Sequence, residues 1–82
     1  MNCNIMVVKI GARREDSPKV QEVLSRFGCS IKVRLGLHET HEVCSDEGIL
    51  ILQLCGEKEE MEKLEEALNK MEKVQAKMVV LE

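Results

Sequence analysis

The chain has 82 residues, a net charge of −3 and a charged share of 33%, which specifies one small globular domain (1–82) and excludes a second core. A domain of this size buries roughly 60–65% of the surface that its unfolded chain exposes, so a second subunit is the readiest source of further burial. Nucleic-acid binding is disfavoured, because Phe27 is the sole aromatic residue and the acidic balance leaves neither a cationic stripe nor a stacking platform for bases.

In chain order, Asn4–Ile10 is a β-branched and apolar run stopped by Gly11, and it reads as a strand apolar on both faces. Ala12 to Asp16 is polar enough to be a loop. Ser17 and Pro18 then open a helix, with serine as its cap and proline at the first position, where the missing N–H is no loss. Val20, Val23, Leu24 and Phe27 follow at helical spacing, and Gly28 is expected to end the helix as a left-handed cap. Ser30–Leu35 alternates, with Ile31, Val33 and Leu35 on one side and Lys32 and Arg34 on the other. That pattern predicts a half-buried edge strand whose two cations face away from the helices.

Gly48–Cys55 is a second run apolar on both faces, ended by Gly56. The next segment carries Met61, Leu64, Leu68 and Met71 as an inward helical stripe with Ala67 beside it. Glu59–Lys63 and Glu66–Lys70 stand at i,i+4 on its wet side. Val74–Leu81 closes the chain, with Val74, Ala76, Met78 and Val80 on one face and Gln75, Lys77 and Val79 on the other.

The order βαββαβ predicts an α+β, ferredoxin-like sandwich: a four-stranded antiparallel sheet with two helices on one face. Its two all-apolar strands, the first and third, belong at the centre. The sheet face away from the helices would then expose Leu, Met and Val, and such a patch marks an association surface. A homodimer or tetramer is expected.

The segments KVQEVLSRFGCSIKVRLGL, DEGILILQLCG and EKVQAKMVVL, and above all Arg34-Leu35-Gly36-Leu37 followed by Gly48, resemble the iron-only hydrogenase system regulator family. The resemblance runs from about Ile5 to Leu81. It implies an ACT-like or ferredoxin-like fold and a regulatory, ligand-sensing role, and it supplies no catalytic residues to transfer. A weaker similarity is to the C-terminal domain of nickel-responsive repressors, which share the βαββαβ order and place His and Cys ligands near the third strand.

Candidate chemistry is concentrated in Leu37–Glu47, which holds both histidines, one cysteine and four carboxylates. His38, His41 and Cys44 offer two imidazoles and a thiol, a set suited to zinc, nickel or copper. Their spacing matches no established zinc motif, and the alternative is a solvated acidic hairpin loop. Gly11, Arg13 and Arg14 follow the first strand and form a second candidate, for a carboxylate or phosphate of a small effector. Cys29 and Cys55 read as small buried apolar residues, while Cys3 near the chain end carries no message.

No run reaches the roughly 18–20 apolar residues of a membrane span. The opening MNCNIMVVKIG is too short and wrongly flanked for a secretory signal. A cytoplasmic protein with reduced thiols is therefore expected. Absent an oxyanion-hole signature or phosphate loop, catalysis is not expected. The reading is a non-catalytic, homo-oligomeric regulator that senses a small molecule. Its alternatives are a metal-binding protein using the His38/His41/Cys44 loop, and a module that binds another protein through its open sheet face.

Overall fold

The computed structural model describes residues 3–37 and 47–81. Strand β1 (Cys3–Ile10) leads into helix α1 (Arg13–Arg26), and a short 3-10 turn at Gly28–Ser30 carries the chain into β2 (Ile31–Leu37). Strand β3 (Gly48–Leu54), helix α2 (Lys58–Asn69) and β4 (Val74–Leu81) follow. All strand pairs are antiparallel, in the spatial order β2-β3-β1-β4. The two most apolar strands are thus central and the two alternating ones lie at the edges, which is the ferredoxin-like arrangement.

Register fixes the faces. Met6 stands opposite both Leu52 and Met78, and Val8 opposite Leu50 and Ala76. This row faces the helices. Met6, Val8, Ile10, Leu52, Leu54, Val74 and Ala76 pack there against Val20, Val23 and Leu24 of α1 and Met61, Leu64 and Leu68 of α2. Each large side chain withdrawn from water in this way contributes roughly 1.5–3 kcal/mol. On α2, Lys70 pairs with Glu66 at 3.8 Å, whereas Lys63 turns to Glu60 at 3.5 Å, three residues away, instead of Glu59.

The opposite face is open. Val7 pairs in register with Ile51 and Lys77, and Ile5 with Gln53 and Val79. Its apolar surface is β-branched, with Ile49, Val7 and Val79 exposed, joined by Val33 and Leu35 of β2 and Leu81 of β4. The Met and Leu residues of the central strands, expected here from the sequence, instead face the helices. Isoleucine and valine suit a pleated surface, and the flexible methionines fill the irregular space under the helices.

Four further expectations are corrected. Helix α1 begins at Arg13, so Ala12–Asp16 is not a loop and Pro18 lies inside the helix. Ala12 is buried in the core, and its carbonyl accepts from the Asp16 N–H at 2.8 Å, which starts the helix a turn early. Glu15 and Asp16 complement the dipole of that first turn, and Pro18 removes one backbone bond in the second. Gly28 is not a left-handed cap but belongs to the 3-10 turn, and among the described residues the positive φ falls at Gly56, at 95°. Cys29 and Cys55 are exposed, not buried, with the Cys55 thiol 3.8 Å from the Cys29 carbonyl oxygen.

The fourth correction concerns β2. Ile31 pairs with Leu54, but Val33 pairs with Gln53, so two residues oppose one in a bulge. The bulge inverts the strand downstream. Val33 and Leu35 go to the open face, at 50% and 52% exposure, and Arg34 goes to the helix side, where its guanidinium donates to the side-chain oxygen of Gln21 on α1.

The two sheet edges are finished differently. On β4, the Asn69 side chain donates to the Ala76 carbonyl at 2.9 Å and accepts from the Ala76 N–H at 2.8 Å. One helical turn earlier, a Glu65 carboxylate oxygen accepts from the Met78 N–H at 2.7 Å. Side chains of α2 thereby occupy the place of a fifth strand. The β2 edge carries the bulge together with Lys32 and Arg34, features that oppose strand addition.

Candidate functional site

The site of interest lies on the open face, where β1 and β4 run side by side. Lys9 is opposite Gln75 and Val7 is opposite Lys77, so the two lysines are diagonal neighbours on adjacent strands, about 7–8 Å apart with their Cβ atoms somewhat closer, within mutual reach of long side chains. A cavity of about 540 Å³ opens there, lined by Val7, Lys9, Asn69, Gln75, Ala76, Lys77 and Val79. A second, of about 280 Å³, is lined by Lys9, Gly11, Glu47, Glu72, Lys73 and Gln75. Lys9 and Gln75 border both, so the two form neighbouring parts of one concave strip.

The strip owes its shape to the end of α2. Asn69 is held against the β4 edge by its paired bonds to Ala76. The chain then turns through Met71, whose N–H bonds the Leu68 carbonyl at 3.1 Å, and Val74, whose N–H bonds the Met71 carbonyl at 3.2 Å. Lys73 accepts from the Gly11 N–H through its carbonyl at 2.7 Å. A Cβ at Gly11 would stand 3.2 Å from that same oxygen, so any larger residue at the junction of β1 with the α2–β4 turn would push on that backbone by a few tenths of an ångström.

Electrostatically, the strip carries Lys9, Lys73 and Lys77 against Glu47 and Glu72, with both carboxylates in the smaller cavity and Lys9 and Lys77 in the larger one. Lys9 meets one carboxylate oxygen of Glu47 at 3.5 Å, with both side chains more than half exposed. An exposed pair of this kind is worth about 0–1 kcal/mol, so it is readily exchanged for another anion. The charged strand residues of β1, β3 and β4 on the open face are Lys9 and Lys77, both positive.

Of the residues nominated from the sequence, Gly11 borders the smaller cavity, but its N–H is spent on Lys73 and does not face a ligand. The backbone of Arg13 and Arg14 forms the start of α1. His38, His41 and Cys44 lie outside the described residues. Among the described residues no group of three or more His, Cys, Asp or Glu side chains is placed to hold a metal ion, and no helix is long and apolar enough to cross a membrane. Sequence reasoning passed over Lys9, Gln75 and Lys77. A signal was present, since Lys9 interrupts the apolar run Ile5–Ile10 of a central strand, and its partner strand puts Gln75 and Lys77 on the same side.

No family model matches the chain, and no curated protein matches it. Solved structures do. An uncharacterized protein of Thermotoga maritima is similar over the full length of both chains, with 22% identity and a TM-score of 0.85. A protein of Thermus thermophilus assigned to PII-like signaling matches at 12% identity and a TM-score of 0.68, covering 99% of this chain and 88% of that one. CPII, a nitrogen regulatory PII-like protein of Thiomonas intermedia bound to ADP, AMP and bicarbonate, matches at 11% identity and 0.63, covering 100% and 97%. At these identities the likeness is one of fold.

Proposed function

We propose that this protein is a non-catalytic regulatory domain that binds a small-molecule effector and works as a homo-oligomer, in line with the iron-only hydrogenase system regulators that its sequence resembles. The observation that carries the reading is the open sheet face. It leaves Val7, Val33, Leu35, Ile49, Val79 and Leu81 exposed beside a cavity of about 540 Å³. A contiguous apolar surface of that kind marks association. Both sheet edges are unfavourable for strand addition, β4 through Asn69 and Glu65 and β2 through its bulge and cations. Copies would therefore meet face to face. The same chain course in CPII accompanies bound nucleotides and bicarbonate, which supports effector binding as the task of such a domain.

Light scattering coupled to size exclusion tests the assembly. The wild-type chain is expected to be dimeric or larger at about 100 μM, and Leu35→Lys, which places a charge on the exposed face, is expected to release folded monomer. A wild-type monomer at that concentration would refute the oligomeric reading. A thermal-shift panel of charged and neutral metabolites tests effector binding separately, since any ligand that prefers the folded state raises its melting temperature.

A further inference from the structure

We infer that the Lys9–Lys77 corner of the open face is the effector's anchoring site, and that it takes an anionic oxygen group, phosphate or carboxylate, carried on an apolar or planar body. The inference rests on the effector-binding reading and specifies its location and chemistry. Three observations converge. The two lysines are diagonal neighbours on adjacent strands, so one anion can lie between them and accept from both. Gln75 is directly opposite Lys9 and borders the same cavity, where its carboxamide adds a donor. Val7 and Val79 complete the lining as an apolar floor, which gives a ligand body a surface to rest on.

The charge pattern supplies the direction. On a chain of net charge −3, the strand charges of this face in β1, β3 and β4 are both cations, and among the described residues it is Lys9 that has a carboxylate in contact, that of Glu47. If a second copy covers the neighbouring valines and isoleucines, these like charges enter a medium of lower dielectric, where their repulsion grows. A bound anion reverses that cost. Ligand binding and subunit association would then be linked, each raising the affinity of the other. A ligand anion competes with Glu47 for Lys9, and their exposed pair at 3.5 Å is worth little.

Titration followed by 15N-correlation spectra tests the site on the intact chain, with phenyl phosphate, phthalate, pyrophosphate and succinate as probes. Saturable shifts are expected at Val7, Gln75, Lys77 and Val79. The ring-bearing probes should bind more tightly than the ring-free ones, and the comparison of phenyl phosphate with phthalate tells phosphate from carboxylate recognition. Lys9→Gln and Lys77→Gln should each weaken binding about tenfold, the size of one charge-assisted hydrogen bond. Lys63→Gln, on the solvent side of α2, should leave it unchanged, and the spectra themselves report that every variant is folded. Equal loss in all three variants, or unchanged binding in the Lys9 and Lys77 variants, overturns the site. Saturable shifts centred on Gly11 and Lys73 overturn it while leaving the effector reading in place. The absence of saturable shifts with any anion also overturns the site, and the effector reading is then decided by the neutral ligands of the thermal-shift panel.

Discussion

Replacing Asn69 by alanine removes the clasp that finishes the β4 edge, and its cost can be worked from the two bonds involved. Asn69 donates to the Ala76 carbonyl at 2.9 Å and accepts from the Ala76 N–H at 2.8 Å, both in a partly buried setting. A neutral hydrogen bond contributes about 0.5–1.5 kcal/mol net. Water can reach part of the vacated edge, so the pair should be worth about 1–2 kcal/mol rather than the upper sum. Alanine is the better helix former, but Asn69 is the last residue of α2, where propensity counts for little. A domain of 82 residues has about 4–12 kcal/mol of stability in all, and at this size 1 kcal/mol moves the melting temperature by about 4–8 °C. Urea and thermal unfolding followed by far-UV circular dichroism should therefore show a clear loss, with Lys70→Ala, one residue on, changing stability by less than about 0.5 kcal/mol. Hydrogen exchange adds a local readout, since the Ala76 amide should exchange faster in the variant while the amides of β1 keep their protection. A neutral or stabilising Asn69→Ala with unaltered Ala76 exchange would refute the argument that α2 holds this edge.

Leu64→Ala deletes a fully buried side chain between α2 and the sheet and should cost about 3–4 kcal/mol, a large part of the total, read by the same urea titration. Gly56→Ala and Gly28→Ala make an opposed pair. Gly56 has φ of 95° with the nearest atom, Ser30 Oγ, 4.0 Å from a built Cβ, so its cost of about 1–2 kcal/mol comes from backbone conformation alone. Gly28 has nothing within 4 Å and no positive φ, so alanine there should stabilise by about 0.4–1 kcal/mol. Elemental analysis of protein purified without chelator tests the loop ligands: near-stoichiometric zinc or nickel that Cys44→Ala abolishes would make His38, His41 and Cys44 a metal site, and metal-free protein after reconstitution would return the loop to scaffold.

The strand order was legible because burial leaves a plain trace: mostly apolar runs in Asn4–Ile10 and Gly48–Cys55, against alternation in the edge strands. The inward stripe of α2 was equally plain, since Met61, Leu64 and Leu68 fall at helical spacing and all three are buried. What alternation cannot say is which of its two faces meets the helices. In β2 the bulge between Ile31 and Val33 decides that, and a bulge is a property of pairing with β3, invisible in β2 alone. The start of α1 was misread for a similar reason. Ser17 and Pro18 form a sound local capping signal, but burial of Ala12 outweighs it. At the candidate site, Arg13 and Arg14 drew notice as a cationic pair in sequence, whereas Lys9 and Lys77 become a pair only when the first and last strands lie side by side.

That adjacency of β1 and β4 also shapes how the chain reaches its native state. Cys3 pairs with Leu81 and Ile10 with Val74, so the longest ladder in the sheet joins the strands most distant in sequence. Contacts of such separation demand closure of nearly the whole chain before they form, and domains dominated by them fold in the slower range of small proteins. During synthesis β1 can pair with β3 first, but its other edge, with Val7 and Ile5 beside it, stays open until Val74–Leu81 has emerged. Self-association of incomplete chains through that strand is the hazard this topology carries, and the late arrival of β4, already clasped by Asn69 and Glu65, ends it.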